Sequence, residues 1–128
     1  MRASIVDYRM GNLASVSKAL EVSGFQTTVS DDAEELVKGD LLVMPGVGNF
    51  TAGASNLRKV GLWSFVQSWA AEDKPLLGIC LGMQLLFEHS DEGDSEGLQI
   101  IPGKVVRISS DVKVPHMGWN QIHAGDSS

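Results

Sequence analysis

Two short apolar runs limit the folds available to this chain more than any other feature. Residues 41–44 (LLVM) are wholly apolar, and residues 76–79 (LLGI) contain only a glycine besides apolar side chains. Runs of this length and composition are typical of strands whose two faces are both covered, as in a parallel sheet flanked by helices. The chain is therefore expected to fold around such a sheet.

The segments between these runs have the apolar spacing of helices. Leu13, Val16, Ala19 and Leu20 recur at helical intervals, and Gly24 then provides a stop. Strands alternating with helices predict an α/β fold, an open and mostly parallel sheet with flanking helices. The predicted helices are 13–22, 33–37, 57–71 and 81–87. The predicted strands are 4–8, 25–29, 41–44, 76–79, 103–108 and 118–122, with a polar loop at 91–97.

Length and composition suit one domain in a reducing compartment. The 128 residues are 43% hydrophobic and 20% charged, with a net charge of −6, which disfavours nucleic acid or an anionic membrane as the main partner. The one cysteine permits no internal disulfide. No apolar stretch approaches a membrane span, and Asp7 comes too early for a signal peptide. We therefore expect a cytoplasmic protein.

The segment around Cys80 predicts a reactive site. An apolar strand runs through a turn into a helix, and Gly78 and Gly82 lie two residues before and after the cysteine. This pattern is typical of a nucleophile elbow, where flanking side chains would clash in the sharp turn. The sulfur would project at the carboxyl end of the sheet, and the following helix N-terminus would favour a thiolate. The alternative is a buried, unreactive cysteine.

Four segments, in order along the chain, resemble those of class I glutamine amidotransferases. They are DYRMGNL (7–13), MPGVGNF (44–50), GICLGMQ (78–84) and VPHMGWN (114–120). Within that family they resemble the glutaminase subunits of imidazole glycerol phosphate synthases, which act in histidine biosynthesis. The resemblance implies a flavodoxin-like, class I glutamine amidotransferase-like fold. It also implies that residues 1–128 are a single, incomplete domain that is C-terminally truncated.

The resemblance also implies roles for individual residues. Cys80 would attack the side-chain amide of glutamine and pass through a thioester. The backbone of Gly46, Val47 and Leu81 would form the oxyanion hole, and Gln84 would contact the substrate. Taken alone, residues 45–48 are also explained as a tight turn, and Gln84 as an ordinary helix side chain.

Partner contacts are implied at three further positions. Asn12, Trp119 and Asn120 match positions at the interface with the synthase (cyclase) barrel subunit, with which the chain would form a heterodimer and to which it would pass ammonia. Core packing is the alternative for Trp119, and turn formation for Asn12. No cofactor is expected, because the sequence has no metal-ligand cluster and no dinucleotide or phosphate loop.

The sequence lacks a recognisable general base. In the family the base is a histidine followed two residues later by glutamate, and none of His89, His116 and His123 has that pattern. The resemblance places the pair beyond Ser128, so we expect the chain alone to be inactive or marginally stable. Two alternatives are a non-catalytic binding or regulatory module and a glutaminase serving anthranilate or pyridoxal phosphate synthesis. The segments 7–13 and 114–120 argue against the latter.

Overall fold

The computed structural model describes residues 1–91 and 93–106. The elements follow in the order β1 (Arg2–Val6), α1 (Leu13–Val22), β2 (Gln26–Ser30), α2 (Ala33–Leu36), β3 (Leu41–Met44), α3 (Phe50–Lys59), α4 (Trp63–Ala71), β4 (Leu76–Gly78), α5 (Leu81–Gln84), β5 (Phe87–Ser90), β6 (Ser95–Glu96) and β7 (Ile101–Val105). None of the described helices has the length and apolar character needed to cross a membrane.

The main sheet has four parallel strands in the order β2-β1-β3-β4. This arrangement confirms the predicted open, mostly parallel sheet with flanking helices. The chain winds outward from β1 in both directions, first to β2 and then to β3. Ligands of such sheets bind where the winding reverses, at the carboxyl ends of the strands, which here are the ends of β1 and β3.

Alternation along the strands divides the core between the two faces of the sheet. Ala3 and Ile5 pack with Leu20 of α1 on one face. Val6, with side chains of β3, joins a larger cluster on the other face. That cluster includes buried residues of α2, α3 and α4, namely Leu36, Phe50, Leu57, Val66 and Trp69.

The predicted helix 57–71 is wrong, because two helices occupy this region. The first, α3, begins at Phe50, where the Asn49 side chain accepts a hydrogen bond from the Ala52 N–H (2.7 Å). Gly61 then adopts a φ of +79°, which ends the helical path before α4 begins. The apolar spacing continues across this break because both helices pack against the same core cluster.

The predicted helix 81–87 is also too long. It ends at Gln84, and Phe87–Ser90 forms β5, which pairs antiparallel with β6 and parallel with β7. The carbonyl of Leu86 accepts bonds from the N–H groups of residues 100 and 101, so this backbone is committed to a small second sheet. His89 lies on β5. The predicted strand 118–122 lies outside the described residues.

Candidate active site

Cys80 occupies the turn between β4 and α5 in a conformation that L-residues rarely adopt. Its φ is +52° and its ψ −120°. The turn is held by two backbone bonds, from Ile79 N–H to the Met44 carbonyl (2.9 Å) and from Gly82 N–H to the Ile79 carbonyl (2.9 Å). The thiol is free and exposed. Strain of this kind, imposed by the surrounding backbone, is typical of a nucleophile elbow.

The two glycines flanking Cys80 are required by close packing. A Cβ on Gly78 would lie 2.7 Å from the Met83 Cα. A Cβ on Gly82 would collide with the carbonyl group of Met44 at the end of β3. The sequence-based argument that side chains at these positions would clash therefore agrees with the observed geometry.

The loop after β3 touches this turn directly. The Leu81 N–H donates a hydrogen bond to the carbonyl oxygen of Gly46 (3.2 Å). Gly46 is buried and has a φ of +149°, Gly48 has a φ of +123°, and the Val47 side chain is 62% exposed. The structure thus brings together Gly46 and Leu81, two of the three predicted oxyanion residues. In this conformation the Leu81 N–H is bonded to a carbonyl oxygen of the loop.

Tyr8 supports the same loop from beneath, and sequence reasoning did not single it out. Its side chain is fully buried, and its hydroxyl donates a hydrogen bond to the Pro45 carbonyl oxygen. Burial raises the pKa of Tyr8 well above its usual range, so the hydroxyl remains a neutral donor. A Cβ on Gly11 would lie 2.9 Å from the Gly46 Cα, so the loop after β1 packs closely against the loop after β3.

The remaining predicted site residues are dispersed. Gln84 is half-buried one helical turn after Cys80, and its N–H bonds to the Cys80 carbonyl (3.1 Å). Asn12 is exposed at the start of α1, where its side chain accepts from the Ser15 N–H (3.2 Å) as an N-cap. Trp119 and Asn120 lie outside the described residues.

His89 pairs with carboxylates on the β5–β6 hairpin. Its Nε2 lies 2.8 Å from the Asp94 Oδ1, and its Nδ1 3.9 Å from the Asp91 Oδ1. His116 and His123 lie beyond the described part of the chain. Over residues 1–91 and 93–106, no three histidine, cysteine or carboxylate side chains converge as metal ligands would.

One protein family and several curated proteins match the sequence over most of its length. The family model described as "Glutamine amidotransferase class-I" matches residues 4–127. The chain is 54% identical over 125 residues to "Imidazole glycerol phosphate synthase subunit HisH" of Halalkalibacterium halodurans, covering 92% of this chain and 58% of that protein. The protein of the same name from Aquifex aeolicus is 49% identical over 124 residues, covering 95% of this chain and 60% of the relative. The chain thus spans about three fifths of the length of these curated relatives.

Solved structures share the fold at low identity. A structure described as a glutamine amidotransferase has a TM-score of 0.65 at 20% identity and covers 76% of this chain and 51% of its own. A putative peptidase E protein from Listeria monocytogenes has a TM-score of 0.63 at 14% identity, covering 78% of this chain and 62% of its own. At these identities the likeness concerns the fold alone.

Proposed function

Because this chain belongs to the class I glutamine amidotransferase family, we propose that it carries the nucleophile and oxyanion loop of a glutaminase subunit of imidazole glycerol phosphate synthase. The observation that supports this most strongly is the strained, glycine-flanked conformation of Cys80 beside the Gly46 loop. The names of the HisH relatives support the choice of synthase.

The proposed reaction begins at the Cys80 sulfur. The thiolate attacks the carboxamide carbon of glutamine and forms a carbon–sulfur bond, while the carbonyl oxygen becomes an oxyanion. Collapse of this intermediate breaks the carbon–nitrogen bond, and the nitrogen takes a proton and leaves as ammonia. Water then hydrolyses the glutamyl thioester to glutamate and restores the thiol. Gln84 is proposed to contact the substrate, and the general base to lie outside the described residues.

The oxyanion needs hydrogen-bond donors, and one of the proposed donors is occupied in the observed loop conformation. The Leu81 N–H is engaged by the Gly46 carbonyl oxygen, which is itself an acceptor. We propose that turnover requires the Gly46–Val47 peptide to rotate, which would free Leu81 and direct the Val47 N–H toward the substrate. The positive φ values of Gly46 and Gly48 support this, because glycine crosses between such conformations at low cost.

Docking of a partner is the proposed cause of that rotation. The partner is a synthase (cyclase) barrel subunit that receives ammonia within a heterodimer and carries out the lyase step, with Asn12, Trp119 and Asn120 at the interface. A nucleophilic thiol has to stay reduced, which supports a cytoplasmic location.

The test is a comparison of two nitrogen sources in the full-length protein with its cyclase partner. With Cys80→Ala, we expect the synthase reaction to stop with glutamine and to continue with an ammonium salt, because only ammonia production depends on the thiol. Glutamine-dependent turnover that survives in the variant would overturn the proposal.

A further inference from the structure

We propose that Tyr8 is a positioning residue for the oxyanion loop, whose hydroxyl fixes the Pro45–Gly46 peptide so that only the next peptide turns. The inference rests on the proposed glutaminase function. It concerns a side chain at the end of β1, remote in sequence from both Cys80 and the loop.

The first support is the placement of the hydroxyl. Tyr8 is fully buried under the loop, and its hydroxyl donates to the carbonyl of Pro45. Pro45 is also buried, and its ring fixes its own φ. The ring restricts rotation about the N–Cα bond of Pro45, and the hydrogen bond from Tyr8 holds the carbonyl oxygen of the Pro45–Gly46 peptide.

The second support is the contact with Gly46 itself. A Cβ on Gly46 would collide with the Tyr8 hydroxyl oxygen and lie 3.1 Å from the Leu81 Cβ. The phenol thus fills the space that a side chain at position 46 would need. Gly11 closes the same loop with its backbone, because a Cβ there would lie 2.9 Å from the Gly46 Cα.

These contacts hold the peptide before Gly46 and leave the peptide after it free to rotate. The Pro45–Gly46 peptide is anchored, whereas the following residue, Val47, is exposed and has room to move. Because the Pro45–Gly46 peptide is held, the Gly46–Val47 peptide can adopt only a narrow range of orientations. The Val47 N–H can then be presented to an oxyanion with the accuracy that such donors require.

Removing the hydroxyl should loosen the anchor without altering the nucleophile. In Tyr8→Phe the Pro45 carbonyl loses this donor, and the Pro45–Gly46 peptide gains freedom. We expect kcat for glutamine hydrolysis to fall about tenfold and KM to change less than about twofold, because stabilisation of the transition state is lost while substrate contacts remain. Alkylation of Cys80 by iodoacetamide should keep the wild-type rate, since displacement at a methylene carbon creates no oxyanion.

The experiment uses the full-length protein with its synthase partner and includes a matched control. Trp69 donates from its ring Nε1 to the carbonyl of Pro75 (2.8 Å) and is almost fully buried. Trp69→Phe thus removes a comparable aromatic-to-proline-carbonyl bond outside the loop, and we expect it to lower stability but leave kcat near the wild-type value. Tyr8→4-aminophenylalanine keeps a donor on the ring and should restore most of the lost kcat.

Each outcome supports or overturns the inference. A folded Tyr8→Phe protein with wild-type kcat overturns it, as does a fall in kcat matched by an equal fall in alkylation rate. If the wild-type complex does not hydrolyse glutamine, the proposed function itself fails. Amide hydrogen exchange at Leu81 still tests the anchor in that case, because the Leu81 N–H is bonded to the Gly46 carbonyl oxygen. Tyr8→Phe should speed exchange there, and an unchanged rate contradicts the role.

Discussion

The hydrogen bond from the Leu81 N–H to the Gly46 carbonyl oxygen joins the Cys80 turn to the loop after β3. Leu81 follows Cys80 directly, so a change in the orientation of the Gly46–Val47 peptide also changes the backbone groups beside Cys80. Under the proposed function, one backbone rotation would control whether the loop offers the substrate an acceptor or a donor.

The Val47 N–H is the group whose role is most directly testable. Val47→Pro removes this donor and fixes φ, so we expect kcat for glutamine to fall by about 10²–10³, the usual cost of losing one oxyanion donor. Steady-state kinetics of the complex measures this. Val47→Ala keeps the N–H and isolates what the side chain contributes, and equal rates for the two variants would exclude the donor role.

Tyr8 should also make stability depend on pH in a defined window. Burial raises its folded-state pKa above the unfolded value of about 10, so above that pH the unfolded chain loses a proton that the folded protein keeps. This contribution is fully present below about pH 10 and is lost as pH rises, by up to about 1.4 kcal/mol per pH unit. Urea unfolding of wild type and Tyr8→Phe should show a stability difference that narrows above about pH 10. A constant difference would contradict the burial effect.

Some residue-level features were accessible from sequence and others were not. The glycines around Cys80 indicate the elbow from sequence because both lie within two residues of the cysteine. The Tyr8 bond to Pro45 joins residues 37 positions apart, and no local pattern signals such a contact. Likewise, the segment 44–50 predicted the oxyanion loop but not the direction in which its peptides face.

At the level of elements, the errors arose where one apolar pattern fits two structures. Leu85 and Leu86 continue the helical spacing of α5, yet they lead into β5, because short apolar runs fit a helix or a strand equally well. The merged helix 57–71 has a related cause. Gly61 was the available break signal, but the apolar stripe runs across it.

Asn12 allows capping to be separated from partner binding. Asn12→Ala removes the bond to the Ser15 N–H and should lower the free energy of unfolding by about 1 kcal/mol, whereas Asn12→Ser can retain a cap. If Asn12 also contacts the synthase subunit, both variants should weaken binding in titration calorimetry. Retention of full affinity by Asn12→Ser would refute the interface role.

Asn49 is the matched control for the capping effect. It caps α3 in the same way, through the Ala52 N–H at 2.7 Å. Asn49→Ala should therefore lower the free energy of unfolding by a similar amount. If Asn12→Ala weakens binding to the synthase subunit more than Asn49→Ala does, the excess does not come from the loss of a helix cap.

At the level of the whole molecule, the strand order explains why distant segments meet. Parallel strands β1, β3 and β4 are neighbours, so the loops that follow them converge at one edge of the sheet. Tyr8, Gly46 and Cys80 follow these three strands in turn. The alternating pattern of strands and helices predicted the parallel sheet, in which each βαβ unit returns the chain in the same direction. It did not indicate which loops meet at that edge.

The central claim is that Cys80 is the nucleophile that attacks glutamine. Selective labelling of Cys80 tests this claim most directly. The full-length protein in its synthase complex is treated with a glutamine-mimicking chloroketone, and Cys80 modification is followed by mass spectrometry against iodoacetamide as the unselective reagent. We predict rapid modification of Cys80 that excess glutamine suppresses and that Cys80→Ala abolishes. Labelling by the chloroketone no faster than that of a free thiol, and insensitive to glutamine, would contradict the claim and favour a non-catalytic module.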